Sequence, residues 1–239
     1  MSNDQIIFIG KEGGKSYIYL TNLDGTVLSK ITETGKQPFR LYPSYDGVDI
    51  YWEEGYTSNS GSYSIGTWRS QIDGSEHVEI DWKLFYQPVF SLSGQHVAYM
   101  SGPFDEDPEL YISNVDGTGK IKVDSIELGE NEFFDNREMS WSTNGEELLV
   151  RIMGCDEVCD QYKEYLVSVD GVIIIQLPED NGRGRVAWSP DNQVLLYKQV
   201  TDSIPVFVLL DTISMSTQVL EVDYPENSYF RRWLWLPMQ

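Results

Sequence analysis

The chain has 239 residues with 38 Asp and Glu against 17 Lys and Arg, a formal net charge of -21. A surface of that sign repels phosphate backbones and anionic headgroups, which excludes nucleic acid and membrane surfaces as first-choice partners. A hydrophobic content of 41% with 13% aromatic residues excludes disorder, and no apolar run approaches the ~18–20 residues of a membrane helix.

The elements follow in chain order. "QIIFIG" from Gln5, "SYIYLTNLDG" from Ser16 and "VLSKIT" from Val27 read as three strands, the last two joined by an Asp24-Gly25 turn. "LYPSYDGVDIYW" from Leu41 then introduces an aromatic-led strand, a turn and a second strand. The same phrase returns as "PVFSLSGQHVAYM", "MSWSTNGEELLVRI" and "VAWSPDNQVLLYK", with Gly47, Gly94, Gly145 and Asn192 marking the turn at intervals of about 47–51 residues. Between these phrases a second turn recurs at Asp73-Gly74, Asp116-Gly117 and Asp170-Gly171, with Asp211-Thr212 as a degenerate copy.

Each period therefore reads as four strands. Strand a carries Tyr42, Phe90, Trp141 or Trp188, a short turn leads to b, a variable loop to c, and the Asp-Gly turn to d. Four-stranded units at this spacing predict an all-β, five-bladed β-propeller. The blades are expected at 38–82, 86–126, 137–178 and 184–222. The fifth pairs "YFRRWLWLP", residues 229–237, as strand a with strands b–d from 5–33, so that a single domain closes without an open edge. "AWSPDNQVLLY" from Ala187 and "LYISNVDGTGK" from Leu110 resemble the TolB-like, WD40-like propeller repeat over nearly the whole chain. Two departures stand beside it: relatives of that type more often have six or more blades, and blades two to four here lack the Pro of Ser-Pro-Asp-Gly. The resemblance implies the fold; such rings serve unrelated functions.

Residues that repeat once per blade, such as Asp24, Asp73, Asp116 and Asp170, or Trp141, Trp188 and Trp235, read as turn and packing residues. The chain has two histidines, His77 and His96, and shows no Gly-x-Ser-x-Gly elbow, Gly-rich phosphate loop or His-Glu-x-x-His. No cofactor and no metal are expected. "DEDPE" at Asp105 and "CDEVCD" at Cys155 offer oxygen ligands but not the spacing of a calcium loop.

The b–c and d–a connections vary in length and character, as binding loops on a rigid ring do. They mix acids with aromatics: Tyr56, Trp82, Phe85, Tyr86, Phe133, Phe134, Tyr224 and Tyr229, beside Asp105, Glu106, Asp107, Asp156 and Glu157. Two readings stand side by side, anchors for a partner or rings folded back to plug the loops. Arg40, Arg137, Arg185, Arg231 and Arg232 fall at or before a strand a, with Arg183 nearby, where they would either hold an anion at a channel mouth or neutralise neighbouring carboxylates. Cys155 and Cys159 are either two thiols or a disulfide closing a small hairpin; the latter would point to an oxidising compartment. The opening "MSNDQIIFIG" has no signal-type apolar core, so a cytoplasmic protein, or one whose leader has been removed, is expected. The first functional reading is a non-enzymatic, monomeric scaffold binding a protein or peptide, with a basic partner favoured by charge. A hydrolase acting on sugar or peptide at the channel mouth is the second, and a ring without a ligand the third.

Overall fold

The computed structural model describes residues 5–26, 28–35, 37–58, 61–82, 84, 88–102, 107–135, 139–155, 159–177, 186–191, 193–201, 204–212 and 214–220. Among these residues there are strands and turns and no helix. The chain divides into two compact units, 1–90 with 94–122, and 91–93 with 123–239.

The first unit holds three antiparallel sheets. Sheet A is β1 (Gln5–Glu12), β2 (Lys15–Asn22) and β3 (Leu28–Glu33). Sheet B is β4 (Gln37–Pro43), β5 (Asp49–Ser58), β6 (Gly61–Gln71) and β7 (Val78–Ile80), and sheet C is β8 (Val89–Phe90), β9 (His96–Ser101), β10 (Glu109–Asn114) and β11 (Ile121–Lys122). The second unit holds sheet D, made of β12 (Glu132–Phe134), β13 (Ser140–Trp141), β14 (Glu147–Cys155), β15 (Cys159–Ser168) and β16 (Ile173–Gln176). Sheet E follows as β17 (Ala187–Trp188), β18 (Val194–Thr201), β19 (Ile204–Asp211) and β20 (Thr217–Leu220).

Sheets B, C and E have four strands in the expected a–b–c–d order. Sheet A has b, c and d; the strand expected to complete it, 229–237, lies outside the described residues.

The sequence builds the turns locally. In sheet B the Ser44 hydroxyl donates to Asp46 Oδ1 at 2.6 Å, the Val48 N–H donates to the same oxygen, and the Asp49 N–H donates to Ser44 Oγ. Ser142 with Asn144 and Ser189 with Asp191 repeat the device. In the c–d turns Asp24, Asp73 and Asp116 each accept the hydroxyl and backbone N–H of the residue two further on. Two of these turns require glycine twice over. Gly74 and Gly117 have φ of +88° and +87°, and a Cβ would stand 2.6 Å from the Ile31 carbonyl oxygen and 2.5 Å from Ile80 Cγ2. Each turn thus rests on strand d of the preceding sheet.

Face-to-face packing explains why strand b is buried on both sides. Ile50 and Trp52 pack with Ile18, Ile7 and Ile31 of sheet A. On the other face Tyr42, Tyr51 and Ile80 pack with Val97, Tyr99 and Phe90 of sheet C. In the second unit Leu149, Leu166 and Leu177 of sheet D meet Leu195, Tyr197, Val208 and Leu210 of sheet E. Trp141 is buried, and Trp188 packs against this last cluster.

Sheet D departs from the expected four strands. The d–a connection, read from its composition as a loop, forms β12 along the upper half of β14, while β13 covers the lower half. The reason lies in the long β14–β15 hairpin. It leaves an edge that β13 alone is too short to cover, and an unpaired edge is costly. The Asp135 N–H to Arg151 C=O bond and the Cys155 N–H to Asn131 C=O bond continue the stitching at both ends of β12.

Candidate interaction surface

The strongest candidate surface is the b–c end of sheet D. Cross-strand register sets Phe133 opposite Met153, and Met153 opposite Tyr162, so these three side chains form a row on one face. Phe133 is 40% exposed although it is held in a strand, much as Phe8 is in β1 at 38%. Its neighbours in β12 are half-buried.

Two ion pairs among the described residues lie beside the row. The Arg151 guanidinium is buried, binds the Glu164 carboxylate through Nε at 2.9 Å and through Nη2, and lies over the Tyr162 ring with 5.5 Å to the centroid. On the other face Glu132 takes Lys163 Nζ at 2.6 Å and the Gly129 N–H at 2.8 Å. The lysine first, and then the backbone donor, hold the Glu132 carboxyl below its ordinary range.

A disulfide closes the tip of this hairpin. Cys155 is disulfide-bonded, and Cys159, its register partner across β14–β15, is the only other cysteine in the chain. Of the two alternatives left open by the sequence, the bonded one is realised.

The other expected residues fall variously. Trp82 is 1% exposed and stacks between Tyr51 and Tyr99, with ring centroids 5.5 and 5.4 Å away. It plugs the B–C core and is not a surface anchor. Phe134 is half-buried and Asp107 is exposed. Tyr56 lies within β5, but its side chain is outside the described set. Phe85, Tyr86, Asp105, Glu106, Asp156, Glu157, Tyr224 and Tyr229 lie outside the described residues, as do Arg137, Arg183, Arg185, Arg231 and Arg232.

Arg40 is the one arginine of the proposed mouth cluster that is described. Its Nη1 reaches Glu53 at 3.2 Å, and the wholly buried Glu53 carboxylate also accepts the Tyr42 hydroxyl at 2.7 Å. Burial first, and then the bond to Glu53, push Tyr42 ionisation far above its ordinary value. The next carboxylate, Glu54, points to the opposite face and accepts Trp52 Nε1 at 3.0 Å and the Gly35 N–H at 2.9 Å. Adjacent acids on a strand project to opposite faces, so each needs its own donors inside the protein, and each has them. Among the described residues no group of three or more His, Cys, Asp or Glu is placed to hold a metal ion.

Met153, Tyr162 and Lys163 went unnoticed in the sequence. The cysteine pair marks the tip of the hairpin but not this register: a shift between Gly154 and Cys155 moves the ladder by one residue, so that Tyr162 rather than Gln161 stands opposite Met153.

No family model matches the chain, and no curated protein matches it in sequence. Solved structures do match. Dipeptidyl peptidase 4 from Porphyromonas gingivalis superposes with a TM-score of 0.59 over 92% of this chain and 38% of its own, at 11% identity. The tricorn protease superposes with a TM-score of 0.57 over 90% of this chain and 25% of its own, at 8% identity. The fold is of the β-propeller type. TolB from Acinetobacter baumannii matches over 89% of this chain and 62% of its own at 11% identity, with a lower TM-score of 0.39. This chain spans well under half the length of the two peptidases, and at such identities the likeness concerns the fold, not the reaction.

Proposed function

We propose that this chain is a non-enzymatic scaffold that binds a protein or peptide through its b–c and d–a connections, with the Phe133 row of sheet D as the anchor. The five sheets are read as the blades of one ring, completed by residues 229–237 as strand a beside β1–β3. The three-stranded make-up of sheet A supports that reading.

One observation carries the functional reading. The chain spends a strand, β12, on holding Phe133 at 40% exposure beside Met153 and Tyr162, while the arginine behind them is already neutralised by Glu164. An aromatic anchor on a rigid element next to satisfied charges has the make-up of an interface hot spot. The net charge of -21 favours a basic partner and accelerates encounter with it.

The test is a peptide array carrying basic, neutral and acidic sequences with aromatic or aliphatic residues, probed with the folded protein at rising salt. Basic peptides should be retained and lost as salt rises. Phe133→Ala should weaken them about tenfold, equivalent to about 1.4 kcal/mol, while Leu92→Ala at the exposed a–b turn of sheet C should not. Retention of acidic peptides, or indifference to Phe133→Ala, would contradict the proposal.

A further inference from the structure

Strand β12 stands at the end of sheet D in the order β12-β14-β15-β16, and among the described residues nothing pairs with its outer edge. An antiparallel ladder alternates between residues that exchange both backbone bonds with the partner and residues whose N–H and C=O point away from it. Here the alternation is fixed at both ends of the strand. The Cys155 N–H donates to Asn131 C=O at 3.0 Å and the Asp135 N–H donates to Arg151 C=O at 2.8 Å, which makes 131/155, 133/153 and 135/151 the bonded pairs. Glu132 and Phe134 therefore turn their backbone groups outward. The Glu132 N–H is taken by the Gly129 carbonyl at 3.2 Å, leaving Glu132 C=O, Phe134 N–H and Phe134 C=O on the open edge.

We propose that this edge receives an extended, basic peptide segment as an added strand. The inference rests on the binding role proposed above and supplies its mode. An antiparallel peptide would exchange two bonds with Phe134 through one residue and donate a third to Glu132 C=O from the residue two positions away. Alternate side chains of such a strand fall on the two faces of the sheet, one carrying the Phe133 row and the other Glu132 with Phe134. Charge complementarity selects the occupant: residues 123–135 carry five acids (Asp124, Glu127, Glu130, Glu132 and Asp135) and no Lys or Arg. Asp124, Glu127 and Glu130 are exposed. Segments of this composition would repel an acidic or phosphorylated strand.

The experiment uses the unmodified protein and a labelled nonapeptide of alternating lysine and valine. It is compared with a copy N-methylated along its central backbone and with a copy bearing glutamate for lysine. N-methylation keeps every charge and side chain but removes the donors that edge pairing needs. Expected are saturable binding of the first peptide, at least a tenfold weaker interaction for the methylated copy and none for the glutamate copy. Equal affinity for the first two peptides, or binding of neither, overturns strand addition. Equal affinity that still falls with salt and with Phe133→Ala would leave the surface reading intact and show that the partner docks by side chains alone.

Discussion

Glu53 shows how one residue's environment sets its role. Its carboxylate is wholly buried in the middle of β5 and is held by the Tyr42 hydroxyl and the Arg40 guanidinium, both brought opposite by the β4–β5 hairpin. Removing it would leave the Tyr42 hydroxyl without this acceptor and take the Glu53 ion pair from Arg40. Glu53→Ala should therefore destabilise the protein by about 2–4 kcal/mol, read from urea unfolding; a loss below about 0.5 kcal/mol, the range of an ordinary surface change, would show the network to be dispensable. Arg40 was legible as a strand-a arginine, but its partner lies 13 residues away, and only the hairpin register reveals that it is neutralised. Trp82 illustrates the opposite difficulty. It sits in "IDWKLFYQ", a loop by composition, yet its N–H folds back onto Ile80 C=O at 2.8 Å and its ring enters the core between two sheets. Burial there is decided by the neighbouring sheet, which no local pattern announces.

Among elements, the turns were the most legible, because their chemistry is local. An Asp that accepts bonds from the residue two positions on, followed by a glycine at positive φ, is written in three consecutive letters. Those bonds have a consequence in acid. Asp24, Asp46, Asp73, Asp116 and Asp191 all lie below the ordinary carboxyl value, chiefly through the hydroxyls of Thr26, Ser44, Ser75, Thr118 and Ser189, and then through backbone N–H groups. Since the folded state lowers these values, it favours the carboxylate form. The resulting stability is complete above the unfolded value of about 3.9 and is lost as pH falls through the folded values. Unfolding free energy should drop from pH 5 toward pH 2, and the drop should be smaller in Asp73→Asn/Asp116→Asn, where the acceptor oxygen remains and the titration does not. An unchanged slope in that variant would place the acid sensitivity elsewhere. β12 was the least legible element, because "NEFFD" has neither the length nor the alternation of a strand. It becomes one through the exposed edge of β14, a tertiary cause.

At the scale of the whole molecule, period and turn chemistry together made the antiparallel sheets readable, since each repeat obeys the same local rules, and within each unit neighbouring sheets pack face to face. The candidate surface was readable only in outline. Variable acidic and aromatic connections were visible, but which of them present a ring to solvent depended on pairing register, and Phe133 and Trp82 went opposite ways. A net charge of -21 would add long-range attraction for a basic partner without choosing where it lands; in the function proposed above, the choice falls to the row at the end of sheet D. The most direct measurement of that claim is amide hydrogen exchange of the protein with and without the lysine-valine peptide. The account predicts new protection confined to residues 131–135, 151–155 and 161–163, with the a–b turns unchanged. Protection centred on the turns at 44–48, 91–95 or 142–146, with none in 131–135, would contradict it.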